Sequence, residues 1–209
     1  MSGETKQVIH GPAGALEARV QLQGSSCGLL MCHPHPLFSG TMDNKVVTTV
    51  TRAARDLGLS TLRFNFRGVG ESEGQHDNGR GEVEDVLAAV RFAHEELGWD
   101  KVILAGFSFG AGMACLAAPD VAESLLGLIL IAPAVHHFDA PNSLPYEFET
   151  WVLMGEEDEV VPFDEVSDWV ERVVPQPHWH TFRDTGHFFH GRLGDLRDSI
   201  KEELSGFIR

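Results

Sequence analysis

Apolar residues recur along this chain in two alternating rhythms. Ala18-Arg-Val-Gln-Leu22 switches between apolar and polar at every step, as a half-exposed edge strand does. Cys27-Gly-Leu-Leu-Met-Cys32 is continuously apolar, as a parallel strand buried on both faces must be. The rhythm then lengthens to a helical period. Val46, Val47, Val50, Ala53, Ala54 and Leu57 mark one face of a helix that Gly58 ends. A strand over Leu59–Phe64 follows, then a helix striped by Val83, Val86, Leu87, Val90 and Leu97. Further strands are expected from Lys101, over Leu128–Ala132, over Trp151–Met154 and over His178–Phe182. Phe163, Val166, Trp169, Val170 and Val173 stripe one more helix, and Leu193, Leu196, Ile200, Leu204 and Phe207 the last. About seven strands with helices between them predict an α/β fold with a doubly wound, mostly parallel sheet. The interval from Pro133 to Thr150 is too short for an inserted helical lid, so an open cleft without a cap domain is expected.

With 209 residues, 43% of them hydrophobic, the chain fits a single domain spanning 1–209. The formal net charge of −15 repels polyanions, which argues against nucleic acid and anionic membrane as partners. The polar start Met1-Ser-Gly-Glu-Thr-Lys-Gln lacks the apolar core of a secretion signal. The longest apolar run, Leu125 to Val135, is too short to span a bilayer and contains Pro133. Cys27, Cys32 and Cys115 are odd in number and show no metal-like spacing. Cys27 and Cys32 should point to opposite faces of one strand and so cannot bridge. A cytoplasmic protein with reduced core thiols is the expectation.

The densest chemistry lies in Lys101-Val-Ile-Leu-Ala-Gly106-Phe-Ser108-Phe-Gly110-Ala-Gly112. An apolar strand runs into Gly-x-Ser-x-Gly and straight on into a helix-compatible segment, the pattern of a sharp turn presenting Ser108 as a nucleophile. Such strings also arise by chance, and the chain carries a second, Gly70-Glu-Ser72-Glu-Gly74. That one leads into the polar, turn-forming stretch Gln75-His-Asp-Asn-Gly-Arg-Gly81. Glutamates on either side of Ser72 would oppose the negative charge of acyl transfer, so Ser72 reads as a loop serine.

An activated serine needs a base and an acid to orient it. Asp158 follows the strand Trp151–Met154 and His187 follows the last strand, the places and order in which a parallel sheet with such a serine turn presents its acid and base. Glu156, Glu157 and Asp164 compete with Asp158, and His190 with His187. The loop Cys32-His-Pro-His-Pro-Leu-Phe-Ser-Gly-Thr41 should supply one backbone N–H to an oxyanion hole, with Phe109 supplying the other. Proline has no N–H, which leaves His35 or Leu37 as the loop donor. His33 is expected to brace the loop; the rival reading is a cation held by His33 and His35, for which no third ligand of suitable spacing is evident. Phe38, His136 and Phe188 are candidate substrate contacts. The first strand–helix turn lacks a dinucleotide-type glycine run, so neither cofactor nor metal is expected.

Over nearly its whole length the chain resembles the α/β-hydrolase superfamily. More narrowly, His33-Pro-His-Pro-Leu-Phe-Ser-Gly-Thr-Met-Asp-Asn-Lys45, Phe64-Asn-Phe-Arg-Gly-Val-Gly-Glu-Ser72 and Gly106–Gly110 are similar to small, lidless bacterial serine hydrolases grouped with dienelactone-hydrolase-like proteins. Relatives usually carry a second glycine where Ser39 stands. True dienelactone hydrolases use a cysteine nucleophile, so Ser108 argues against that reaction. The resemblance implies cofactor-free hydrolysis of an ester or thioester, and a small-molecule substrate and a monomer or homodimer are expected. A carboxylic-ester hydrolase working through an acyl-enzyme on Ser108 is the leading expectation. The alternatives are a thioesterase or peptidase using the same residues and a non-catalytic binding protein.

Overall fold

The computed structural model describes residues 3–207, the side chain of Phe207 excepted, so the last expected stripe residue lies outside what is described. One sheet of eight strands runs in the order β1-β2-β4-β3-β5-β6-β7-β8. The strands are β1 (Thr5–Gly11), β2 (Gly14–Gln21), β3 (Cys27–Cys32), β4 (Ser60–Phe64), β5 (Lys101–Phe107), β6 (Leu125–Ile131), β7 (Glu149–Gly155) and β8 (His178–Phe182). From β4 to β8 all neighbours pair in parallel, whereas β2 runs antiparallel to both β1 and β4.

The sheet departs from the sequence expectation in two places. The strand count is eight, because Thr5–Gly11 also pairs, and β2 is an inner strand with β1 outside it. The cause is visible in the burial of β1, where only Ile9 is buried. An edge strand with one sequestered side chain carries almost no hydrophobic period for a sequence reading to detect.

The helices are α1 (Lys45–Asp56), α2 (Arg80–Glu95), α3 (Phe109–Ala117), α4 (Phe163–Arg172) and α5 (Leu193–Phe207). Asn44 starts α1 by accepting the Val46 N–H at 2.8 Å, and Gly58 follows its end at φ 83°. From β3 the chain crosses leftward through α1 to β4, then rightward through α2 to β5. Right-handed crossovers in opposite directions place α1 and α2 on opposite faces of the sheet. Accordingly α5 packs on α1, and α3 packs on α2. The strand order reverses between β3 and β5, and the crevice beyond their carboxyl ends is where such sheets bind ligands. Between β6 and β7 there is one short 3-10 turn, Val135–His137, and no inserted cap. Among the described residues no helix is long and apolar enough to cross a membrane.

Candidate active site

The loops after β3, β4, β5, β6, β7 and β8 gather at that crevice. Ser108 stands at the end of β5 with φ 56° and ψ −117°, a conformation rarely taken by a residue with a side chain. Its N–H is held by the Ile131 carbonyl at 2.8 Å, and its carbonyl accepts the Gly112 N–H at 3.1 Å. The flanking glycines are required by contact. A Cβ at Gly106 would lie 2.3 Å from the Gly110 carbonyl oxygen, and one at Gly110 would lie 2.4 Å from the His33 carbonyl oxygen. The first absence lets the turn close on itself, and the second lets α3 rest against the loop after β3.

His187 Nε2 lies 3.1 Å from Ser108 Oγ, and His187 Nδ1 lies 2.8 Å from Asp158 Oδ2. The Asp158 carboxylate only accepts, so Nδ1 carries the ring proton and Nε2 is left to receive one from Ser108. Asp158 Oδ1 accepts the N–H groups of Val160 at 2.9 Å and Val161 at 2.7 Å, which fixes the carboxylate in the turn before α4. Its side chain is fully buried, as is nearly all of the His187 ring. Gly155 permits the joining of the two loops, since a Cβ there would lie 2.1 Å from the Thr185 carbonyl oxygen. The competing acids take no part: Glu156 is exposed and accepts from Thr181, while Glu157, Asp164 and His190 face solvent.

Two residues that hold His187 escape the sequence reading. Glu159 Oε2 accepts the His187 backbone N–H at 3.0 Å, passing so close to Gly186 that a Cβ there would lie 2.6 Å from it. Phe107 packs its ring against the imidazole, with centroids 4.8 Å apart. Gly186 is the one available signal, since a glycine before a functional histidine often marks a backbone approached closely by another group. Phe188 belongs with these. A candidate substrate contact, it lies edge-on to His187 at 4.9 Å, and it is not among the residues that line the cavity beside Ser108.

The loop after β3 is braced as expected. His33 is buried; its Nε2 accepts the Phe66 N–H at 3.0 Å and its Nδ1 lies 2.6 Å from the Pro34 carbonyl. Burial pushes its pKa down to about 4, so the ring is neutral. With both nitrogens engaged, His33 has no lone pair for a cation shared with His35, and no cluster of three metal-type ligands occurs among the described residues. Leu37 donates its N–H to His35 Nδ1 at 3.1 Å inside a short 3-10 turn, Pro36–Phe38. The N–H groups of His35 and Phe109 have no acceptor among the described residues. Ser39 closes the turn at φ 61° and ψ 23°, the left-handed region in which a glycine is free of strain.

A cavity of about 480 Å³ opens beside Ser108. Phe38, Phe109, Met113, Leu116 and Phe138 supply its apolar wall, and His35, His76, His136 and His137 its imidazoles. Phe38 and His136, the other two candidate substrate contacts, line this cavity, while the Leu37 side chain is exposed and outside. None of the thiols rivals the serine: all three are free, and burial pushes Cys27 up to about 11, Cys115 up to about 12 and Cys32 upward as well.

Known proteins share this fold. A model of the alpha/beta hydrolase fold matches residues 38–155. An alpha-beta serine hydrolase homologue from Coxiella burnetii is 40% identical, with a TM-score of 0.89 over 98% of this chain and 99% of that one. The serine hydrolase without lid XC6422 from Xanthomonas campestris is 36% identical, with a TM-score of 0.87 over 97% of this chain and 94% of that one. Protein RP471 of Rickettsia prowazekii is 32% identical over 207 residues, 94% of this chain and 87% of its own length. A mostly parallel sheet that turns sharply at a serine, carries no lid and matches these relatives over nearly its whole length makes the chain a member of the α/β-hydrolase fold family.

Proposed function

We propose that this hydrolase cleaves small carboxylic esters through an acyl-enzyme on Ser108. The observation that carries the reading is the unbroken chain from Ser108 Oγ through His187 to Asp158, at 3.1 and 2.8 Å, with the serine held at positive φ. Ser108 Oγ attacks the ester carbonyl carbon as its proton passes to His187 Nε2. The carbonyl oxygen becomes an oxyanion, which the free N–H groups of His35 and Phe109 are suited to receive; Leu37, with its N–H already given to His35 Nδ1, is not. Collapse of the tetrahedral species breaks the bond to the alcohol oxygen, which takes the proton from His187 and leaves. Water then attacks the acyl carbon, giving a proton to His187, and a second collapse returns that proton to Ser108 and releases the acid. Asp158 stabilises the imidazolium in both halves and stays ionised.

The absence of a lid supports short, soluble esters over aggregated lipid, because nothing must move to admit substrate. The test is hydrolysis of a short-chain nitrophenyl ester, the matched thioester and the matched anilide by the purified enzyme. Ester turnover that disappears in Ser108→Ala, with the thioester and anilide slower, bears out the reading. A faster thioester or anilide would transfer it to those leaving groups, and equal ester turnover in the variant would remove Ser108 from it.

A further inference from the structure

The cavity beside Ser108 is chemically unlike the molecule that contains it. The chain holds 31 Asp and Glu residues against 16 Lys and Arg, yet no Asp or Glu lines this cavity among the described residues. Its one permanent charge is Arg80, the first residue of α2. Arg80 is exposed and its guanidinium has neither an ion-pair nor a hydrogen-bond partner among the described residues. Arg67, on the segment that leads from β4 into α2, shows the contrast: it is buried and doubly bonded to Asp85, at 2.7 Å from Nη2 and 3.0 Å from Nε.

Two carboxylates close to the cavity are engaged elsewhere. Glu82 is completely buried; its Oε1 accepts the Asp77 N–H at 2.9 Å and lies 2.9 Å from His76 Nδ1, and its Oε2 accepts the Gly79 N–H at 2.8 Å. Asp158 is spent on His187 and two backbone groups. Burial lowers the pKa of both His35 and His136, which keeps these two imidazoles neutral at neutral pH. What remains is a chamber walled by aromatic, aliphatic and imidazole side chains, with a nucleophile at one station and a single unpaired guanidinium at another. One fixed positive charge inside a field of net −15 matches a monoanion better than a dianion. Guanidinium geometry matches a carboxylate.

We propose that the preferred substrate is an ester with an apolar body and a free carboxylate at its far end, which pairs with Arg80 while the ester carbonyl lies at Ser108. The proposal rests on the ester-hydrolase reading and names the substrate class for that same site. Arg80 is thus a specificity-determining residue: it holds a part of the substrate that does not react.

The experiment compares matched ester pairs that differ in that one charge. Monomethyl adipate and monomethyl suberate are set against methyl hexanoate and methyl octanoate, and 6-acetoxyhexanoate against hexyl acetate, so that the carboxylate is tried on both sides of the ester. The readout is the ratio of kcat/KM, charged over neutral, for wild type, Arg80→Gln and Arg80→Lys. The wild type is expected to favour the charged member of at least one pair by about tenfold, the size of one charge-assisted hydrogen bond. That ratio should shrink with added salt, fall to near one or below in Arg80→Gln, and recover in part in Arg80→Lys. Preference for the neutral members in wild type, or a ratio unmoved by Arg80→Gln, overturns the proposal and leaves the ester reading standing. Turnover of none of the esters overturns both.

Discussion

Gly70-Glu-Ser72-Glu-Gly74 and Gly106-Phe-Ser108-Phe-Gly110 share one five-residue pattern, and the fold uses the two in opposite ways. Around Ser72 the glycines carry the unusual backbone, at φ 59° and 82°, and the serine does not. Around Ser108 the serine carries it, at φ 56°, and the glycines are needed for close approach. The Ser72 hydroxyl donates to the Asn65 carbonyl at 2.7 Å and accepts the Glu17 N–H at 2.9 Å, so its hydrogen-bonding capacity is consumed by backbone. Glu73 adds a bond from the Ala15 N–H at 2.8 Å. This segment fastens the amino-terminal hairpin to the sheet. Ser108 instead offers its hydroxyl to an imidazole at the rim of a cavity. A serine becomes a nucleophile by having a base as its partner and space beside it, and a five-residue string records neither.

The contrast is sharpest in activity. Ser108→Ala should lower kcat by about five to six orders of magnitude. Ser72→Ala should leave kcat within about twofold, measured on the same ester. If Ser72→Ala lost activity as Ser108→Ala does while keeping its Tm, the reading of Ser72 as a fastening serine outside the chemistry would fail. Asp158→Asn should cost about 10⁴ in kcat, because the amide favours the wrong imidazole tautomer. A loss below tenfold would point to Glu159 or another acid as the orienting group.

His33 links the two regions, since its ring fastens the loop after β3 to Phe66 at the head of the Ser72 loop. Its folded pKa of about 4 lies below the ordinary value of 6.5, so the unfolded chain binds the proton first. The stability this neutral ring contributes is therefore complete above pH 6.5 and lost as pH falls toward 4, about 3 kcal/mol in all. Urea unfolding of wild type and His33→Asn at pH 7 and pH 5 should show the gap between them narrowing at the lower pH; a constant gap would mean that His33 does not titrate in this way. The smallest effect is Ser72→Ala on stability. It leaves the Glu17 N–H without its partner, at about 2 kcal/mol or 4–8 °C in Tm. An unchanged Tm would show that water replaces the hydroxyl and that this loop is not a fastening.

Much of the fold and the site is legible in the amino-acid sequence, for identifiable reasons. Burial on both faces of β3, β5, β6 and β7 writes continuous apolar runs into the chain, and one-sided burial of α1 and α4 writes helical stripes. The elbow at Ser108 is readable because its steric demands are local: each requirement falls within two residues of the serine. Asp158 and His187 are readable because each closes a strand whose carboxyl end faces the site. β1 is not, because an edge strand buries too little to leave a period. The choice between His35 and Leu37 is not, because it turns on a ring folding back to occupy one N–H. The packing of Phe188 against His187 is not, because proximity along the chain says nothing about which side of the imidazole a ring takes. Glu159 and Arg80 have the same sequence appearance as any surface charge, and only packing decides that one grips a backbone N–H while the other is left unpaired beside a cavity. The sequence by itself determined the periodic and local features, since a buried face or a tight turn restricts the residue types at its own positions. The tertiary structure alone decided partnership, because which groups meet across the crevice depends on how strands far apart in the chain are ordered in the sheet.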